Sequence, residues 1–551
     1  MRRLVLALIV AAAAVASPPA PRAAETRDTL SAQAFEDAQM ATSSRAAVAL
    51  AQGAARLGAG DAALSALVRE RQDAEARFRA ADAERVRALA GQGDKAARRA
   101  VELAAVAEAA AKDVAARDAE IAARYPAFAD LTSAAPLPLA ETQALLGKDE
   151  ALVFIVPAFD GTYIWAVRRD RSLWMRGAMD EKAVADAVRD LRAALDPGGA
   201  VRAAVDAAGS TAPAAGPAAF PRARAFELYQ SVWAPVAPAL KGAKTVYVVQ
   251  SGALSALPLS VLPTALPRGE DADVRALRAT PWLFTKHALA TLPAVSSLRA
   301  VRRAPDRAAA ARAFAGFGDP ALDGPAGPGP RGVGAYYRSG SADITAIKGL
   351  PRLPGSALEL RALARALGAP ETSVSTGAAA TEGAVKGADL SSTRVVAFAT
   401  HGLLAGEIDG LAEPALVLTP PDVASASDDG LLTASEAAGL RLAADWIVLS
   451  ACNTAASDGK GGISTGGEGL SGLARAFFHA GARALLVSHW RVRDDVAAEL
   501  TTATIGAYAR HPERGRAAAL QGAMKTMLKS GDPAMAQPSA WAPFVVAGEA
   551  R

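Results

Sequence analysis

Short apolar runs recur along the second half of the chain with helical stretches between them. Arg394–Ala399 (RVVAFA), Trp446–Leu449 (WIVL) and Ala484–Trp490 (ALLVSHW) are separated by segments of helix-forming composition at 433–440, 470–481 and 495–510. A strand that is apolar on both faces must be covered on both faces. Helices joining successive strands supply that cover, so the pattern predicts an α/β fold built on a mostly parallel sheet flanked by helices. In such a fold chemistry gathers in the crevice outside the carboxyl ends of the strands. An amphipathic stretch at 356–367 precedes these runs, with Leu358, Leu360, Leu363 and Leu367 expected on its buried face and Gly368 as its stop.

The upstream sequence is organised differently. Residues 1–24 open with two arginines near the start, continue through an apolar stretch and turn to small residues, with Ala14 and Ala16 offering an A-x-A cleavage point. This is the pattern of a secretory signal peptide cleaved somewhere in 16–24, and it predicts an exported protein, periplasmic or extracellular. No later apolar run reaches the roughly 18 residues expected of a membrane span. Residues 25–125 are rich in Ala, Glu, Asp, Arg and Gln, with Leu64 and Leu67, Val86 and Leu89, and Leu103, Val106, Val114 and Ile121 at helical spacing. Glycines at 58–60 and 91–93 interrupt that spacing, which predicts an α-helical arm folded back as hairpins, able to dock an activating protein. Residues 126–551 read as the main domain, with the chemistry concentrated in about 340–551. Within it Leu152–Val156, Tyr163–Val167 and Leu173–Met175 predict a β-meander, and Thr245–Val249 and Phe314–Phe317 predict further strands. The Gly- and Pro-rich stretches at 197–221 and 321–334 read as surface loops.

Two strand ends carry candidate chemistry. Cys452, the single cysteine of 551 residues, follows WIVL, and His401 follows RVVAFA 51 residues earlier. Adjacent parallel strands lie about 5 Å apart, close enough for the two ends to cooperate. A thiolate attacks a carbonyl carbon, and an imidazole within reach lowers the thiol pKa and then protonates a leaving amine. The backbone N–H groups of Gly402 and Cys452 are candidate oxyanion donors, and Gly402 has no side chain to obstruct approach. The competing reading is a buried structural cysteine beside an ordinary loop histidine. The glycine-rich run at 458–472 lacks the ordered glycines and lysine of a phosphate loop and reads as a flap beside Cys452. Ser488, His489 and Trp490 end the third apolar run and are candidates for lining a substrate pocket. Asp494 either supplies negative charge to a basic substrate side chain or caps the helix that follows.

Composition narrows the partners. One cysteine excludes an intrachain disulfide and a multi-cysteine metal site. His287, His479, His489 and His511 show no metal-ligand spacing, so neither a metal nor an organic cofactor is implied. A net charge of +4, without a basic stripe or an aromatic platform, argues against nucleic acid. The expected partner is a protein or peptide substrate.

The segments 398–402 (FATHG), 429–454 (DGLLTASEAAGLRLAADWIVLSACNT), 467–495 (GEGLSGLARAFFHAGARALLVSHWRVRDD) and 541–549 (WAPFVVAGE) resemble the CHAT domain, over roughly 130–551 and most strongly over 395–495. The resemblance implies a caspase-like fold akin to separases. It also implies a cysteine peptidase with His401 and Cys452 as its dyad, and a preference for basic residues before the scissile bond. The chain departs from the family pattern at Ala455, where glycine commonly follows C-N-T, and at His489, where S-L-W is more usual. Two other functions stay open: an exported interaction scaffold with an inactive or partner-activated domain, and a cysteine acyl-transfer or hydrolase enzyme that is not a peptidase.

Overall fold

The computed structural model describes residues 27–42, scattered positions between 67 and 88, 94–124, 136–196, 219–303, 310–324, 337–338, 341–342, 347–403, 414–423, 425, 428–450, 472–490 and 492–551. Residues 1–24, the glycines at 58–60 and 91–93, most of the two Gly- and Pro-rich loops, and 451–471 with Cys452 and the glycine-rich run lie outside them.

The predicted meander is present as β1 (Glu150–Ala158), β2 (Gly161–Val167) and β3 (Ser172–Gly177). Next come β4 (Thr245–Gln250), β5 (Ala288–Thr291), β6 (Arg312–Pro320), the small pair β7 (Tyr337–Arg338) and β8 (Ser341–Ala342), β9 (Val374–Gly377) and β10 (Thr393–Ala399). A separate antiparallel sheet joins β11 (Gly402–Leu403), β12 (Ala415–Val417) and β13 (Leu431–Thr433). The chain returns to the main sheet through β14 (Trp446–Leu449), β15 (Ala484–Ser488) and β16 (Phe544–Gly548).

Eleven strands make that main sheet, in the order β3-β2-β1-β4-β5-β16-β15-β14-β10-β6-β9. From β15 to β9 every neighbour is parallel, and so is every neighbour from β1 to β16. The two parallel blocks meet antiparallel where β15 pairs with β16. The helix-flanked, mostly parallel α/β sheet is therefore as expected, whereas the seam is not something apolar patterning can reveal. All four residues of β14 are buried, as are Leu485, Leu486 and Val487 of β15, which is why these strands read as unbroken apolar runs. β15 ends at Ser488, two residues short of the expected strand. The N–H of His489 still reaches the Pro543 carbonyl, and the chain then leaves the sheet.

The first described helix, α1 (Arg27–Ala41), inserts Phe35 into the main core, with ring centroids 6.0 Å from Phe154 and 6.1 Å from Trp165. Gln39 brackets the Leu137 backbone, its amide nitrogen donating to the carbonyl and its oxygen accepting from the N–H. Helix α2 (Asp94–Arg124) pairs with the helical positions before it through Glu70–Arg117, Arg71–Asp118, Arg77–Asp113 and Glu84–Arg99. From Glu70–Arg117 to Arg77–Asp113 to Glu84–Arg99 one partner number falls as the other rises, so the two segments run antiparallel. Ala81, Leu103 and Ala107 form its buried seam, while Val106 is exposed, contrary to the face drawn through the larger apolar residues. No helix among the described residues is long and apolar enough to cross a membrane.

Helix α3 (Glu181–Leu195) covers the meander side of the sheet, and α4 (Pro354–Ala366) lies on β6 and β10. Beyond the short α5 (Gly472–Ala480), the long helix α6 (Asp494–Arg510) packs along α4, and α7 (Arg516–Leu528) packs on α6. Helix α4 is rotated from the expected face. Glu359 is buried together with Leu360 and Leu363, while Leu358 is 65% exposed.

Candidate active site

His401 stands two residues past the end of β10 and is buried. Its backbone is pinned by β12, because Val417 donates its N–H to the His401 carbonyl at 2.9 Å while the Thr400 hydroxyl donates to the Val417 carbonyl at 2.5 Å. His401 and Val417 thus form a hydrogen-bonding position of the ladder. The next pair, Gly402 opposite Leu416, falls at a non-hydrogen-bonded position, which turns the Gly402 N–H away from β12. The imidazole Nε2 lies 2.9 Å from the Pro351 carbonyl oxygen. A carbonyl only accepts, so Nε2 carries hydrogen and the neutral ring presents its lone pair at Nδ1.

The Pro351 segment is itself held. A second apolar cluster packs Leu350 with Leu322, Ile347, Leu403, Val417 and Leu431, joining Leu403, two residues past His401, and Val417, the strand partner of His401, to the residue before Pro351. Arg352 pairs with Asp319 at 3.2 Å. Asp319, the next-to-last residue of β6, has φ +41°, a conformation costing roughly 1–2 kcal/mol for a residue with a Cβ and found at functional sites more often than elsewhere.

Ser450 follows β14 and stands two residues before Cys452 in sequence. Its N–H donates to the Phe398 carbonyl at 2.9 Å, and its hydroxyl donates to Glu359 Oε2 at 2.9 Å. The other carboxyl oxygen of Glu359 lies 2.7 Å from the Thr501 hydroxyl on α6. Burial pushes the Glu359 pKa up to about 7 against the opposing effect of the two hydroxyls, and the nearby Asp494 carboxylate adds to the rise.

Asp494 is exposed at the first position of α6, with Arg493 as the cap residue, so the helix begins one residue earlier than the spacing suggested. It lies against the start of α4: a Cβ on Gly355 would come within 2.4 Å of Asp494 Cβ. Residues 351–355 therefore carry both the His401 acceptor and the surface facing Asp494. Ser488, His489 and Trp490 have other neighbours and are all buried. The Trp490 indole donates to the Ser539 carbonyl at 3.0 Å, and Arg192 of α3 lies 5.5 Å from its ring while donating to the His489 carbonyl. Burial, helped by the Arg192 cation, pushes the His489 pKa down to about 3.

The CHAT domain model matches residues 222–549. The chain belongs to the CHAT domain family. The matched span of this CHAT protein runs from the helix beginning at Arg222 through β16 and takes in both parallel blocks of the sheet except β1. Among solved structures it is similar to a chain of the Saccharomyces cerevisiae separase–securin complex, with a TM-score of 0.39 and 8% identity over 83% of this chain and 34% of that one. It thus spans about a third of that chain's length. No curated protein matches it.

Two residues around the candidate site escaped the sequence reading. Pro351 acts through a backbone carbonyl, which has no residue-type signature. Glu359 had a legible signal, since it stands four residues before Leu363 on one helical stripe, but its leucine neighbours drew the apolar face elsewhere.

Proposed function

We propose that this CHAT protein is a cysteine endopeptidase working through Cys452 and His401. The observation that carries the reading is the register of β10 and β14. Val395 lies opposite Trp446 and Phe398 opposite Leu449, an offset of 51 residues, which is also the separation of His401 from Cys452. Groups spaced by the register itself leave two adjacent parallel strands at the same level, about 5 Å apart.

In the proposed cycle Nδ1 of His401 takes the Cys452 thiol proton, the resulting thiolate forms a bond to the scissile carbonyl carbon, and an electron pair moves onto oxygen beside the N–H groups of Gly402 and Cys452. The orientation of the Gly402 N–H away from β12 favours that role. As the C–N bond breaks, protonated His401 gives its Nδ1 hydrogen to the departing amine. Water then attacks the thioester while Nδ1 takes its proton; the sulfur leaves as thiolate and the acid is released. Throughout, Pro351 holds Nε2–H and so keeps the imidazole oriented. Asp494, exposed beside the Pro351–Gly355 segment, supplies the charge that selects a basic side chain before the scissile bond. Residues 1–24 direct export, and the α2 hairpin docks an activating protein.

The test is mass spectrometry of a peptide library incubated with the full chain and with Cys452→Ala, alongside an electrophilic peptide probe. Cleavage after Arg or Lys and labelling of Cys452, both confined to the parent chain, are expected. Cleavage that persists in Cys452→Ala overturns the nucleophile assignment, and a folded parent chain whose Cys452 is labelled by the probe but which cleaves no peptide overturns the peptidase reading.

A further inference from the structure

Glu359 is a buried titratable group for which the proposed cycle has no use. The Thr501 hydroxyl has one hydrogen and two neighbours, the Ala497 carbonyl at 2.9 Å and Glu359 Oε1 at 2.7 Å. If Thr501 donates to Ala497, the hydrogen between Thr501 and Glu359 must come from the carboxyl group. Oε2 then remains the acceptor for Ser450. A protonated acid satisfies every contact in this chain of hydroxyls, whereas an anion would sit desolvated beside the Asp494 carboxylate.

We propose that Glu359, carrying its proton, is a positioning residue that ties the strand end leading into Cys452 to helix α6, whose first residue is Asp494. The proposal rests on the Cys-His reading and deepens it. The N–H of Ser450 is fixed to β10, the strand that leads to His401, and its hydroxyl is fixed to Glu359. Thr501 carries the tie into α6. Ser450, the last described residue before Cys452, and the helix that begins with Asp494 thus share one carboxyl group as their common anchor, and β10 joins them through the Ser450 N–H.

The experiment measures the pH profile of Cys452 alkylation by iodoacetamide in the full chain, together with the carboxyl region of the infrared spectrum and amide exchange at Ser450. The variants are Glu359→Gln, Glu359→Ala, Ser450→Ala and His401→Ala. Glutamine keeps an N–H for Thr501 and an oxygen for Ser450, so Glu359→Gln is expected to retain the parent profile while losing a carboxylic-acid band present near neutral pH. Glu359→Ala and Ser450→Ala are expected to move the apparent thiol pKa toward the roughly 8.5 of a free cysteine and to speed Ser450 exchange roughly tenfold. Ser450→Ala serves as the decisive variant if Glu359→Ala does not fold.

A parent profile in Ser450→Ala overturns the positioning role. A parent spectrum without the acid band, or a Glu359→Gln profile shifted like that of Ser450→Ala, overturns the proton-bearing form. Failure of the Cys-His reading is separately visible, because His401→Ala would then leave the alkylation profile unchanged. The tie from Glu359 to Ser450 is in that case decided by amide exchange: acceleration in Ser450→Ala upholds it and unchanged exchange overturns it.

Discussion

A carboxyl group with a pKa of about 7 in the fold and about 4.5 in the unfolded chain binds more protons in the native state between those values. Glu359 therefore stabilises the fold most at low pH, and its contribution falls as pH rises from about 4.5 through 7, by about 3 kcal/mol at most. His489 has the opposite sign. With a folded pKa of about 3 against an ordinary 6.5, the unfolded state binds the extra proton, so stability is lost as pH falls from 6.5 towards 3. The two slopes oppose each other between about 4.5 and 6.5. Glu359→Gln should unmask the histidine, giving a urea midpoint that rises with pH across that window more steeply than the parent's; an unaltered slope would show that Glu359 is not neutral there. At His401 the orienting acceptor is a carbonyl, so Pro351→Ala should keep peptidase activity within a few-fold while His401→Ala loses it, as steady-state kinetics on the same peptide would show. The sequence marks His401 as a strand-end imidazole but is silent on its acceptor, because every residue type carries that oxygen.

Helices α4 and α6 touch at their first turns, where Gly355 faces Asp494. A methyl group there would come within 2.4–2.8 Å of Asp494 Cβ, Oδ2 and Cγ, so Gly355→Ala must push the start of α6 away from α4. The expected result is a loss of about 1–3 kcal/mol in stability and a raised KM for substrates with a basic residue before the scissile bond, with Cys452 alkylation unaffected. An unchanged KM would separate Asp494 from substrate selection. The helices themselves were legible from spacing to within a residue or two at α6. The inward face of α4 was not, because Leu358 looks like core and Glu359 like surface until Ser450 and Thr501 supply hydroxyl partners for a buried acid.

Across the whole molecule eight strands of the main sheet, β1 to β4, β6, β10, β14 and β15, were legible one by one as apolar runs, whereas the short β5, β9 and β16 were not. The strand order was not legible: periodicity records what covers a strand, not which strand lies beside it. β16 illustrates this, with Val546 fully buried opposite both Leu486 of β15 and Ala290 of β5. Val546→Ala should cost about 2 kcal/mol and move one shared urea transition, followed through Trp165 of β2, which pairs with the outer strand of one block, and Trp446 in the other. Two separated transitions would show the blocks to be independent cooperative units. β16 pairs with a strand 256 residues earlier in the chain, so its docking closes a long loop and belongs to the slow events of folding. Until it docks, β5 and β15 each present an apolar strand with one open side, the kind of edge on which newly made chains stick to one another. The seam strand is thus also the stopper, and its time of arrival decides how long a growing population of these molecules stays vulnerable to aggregation.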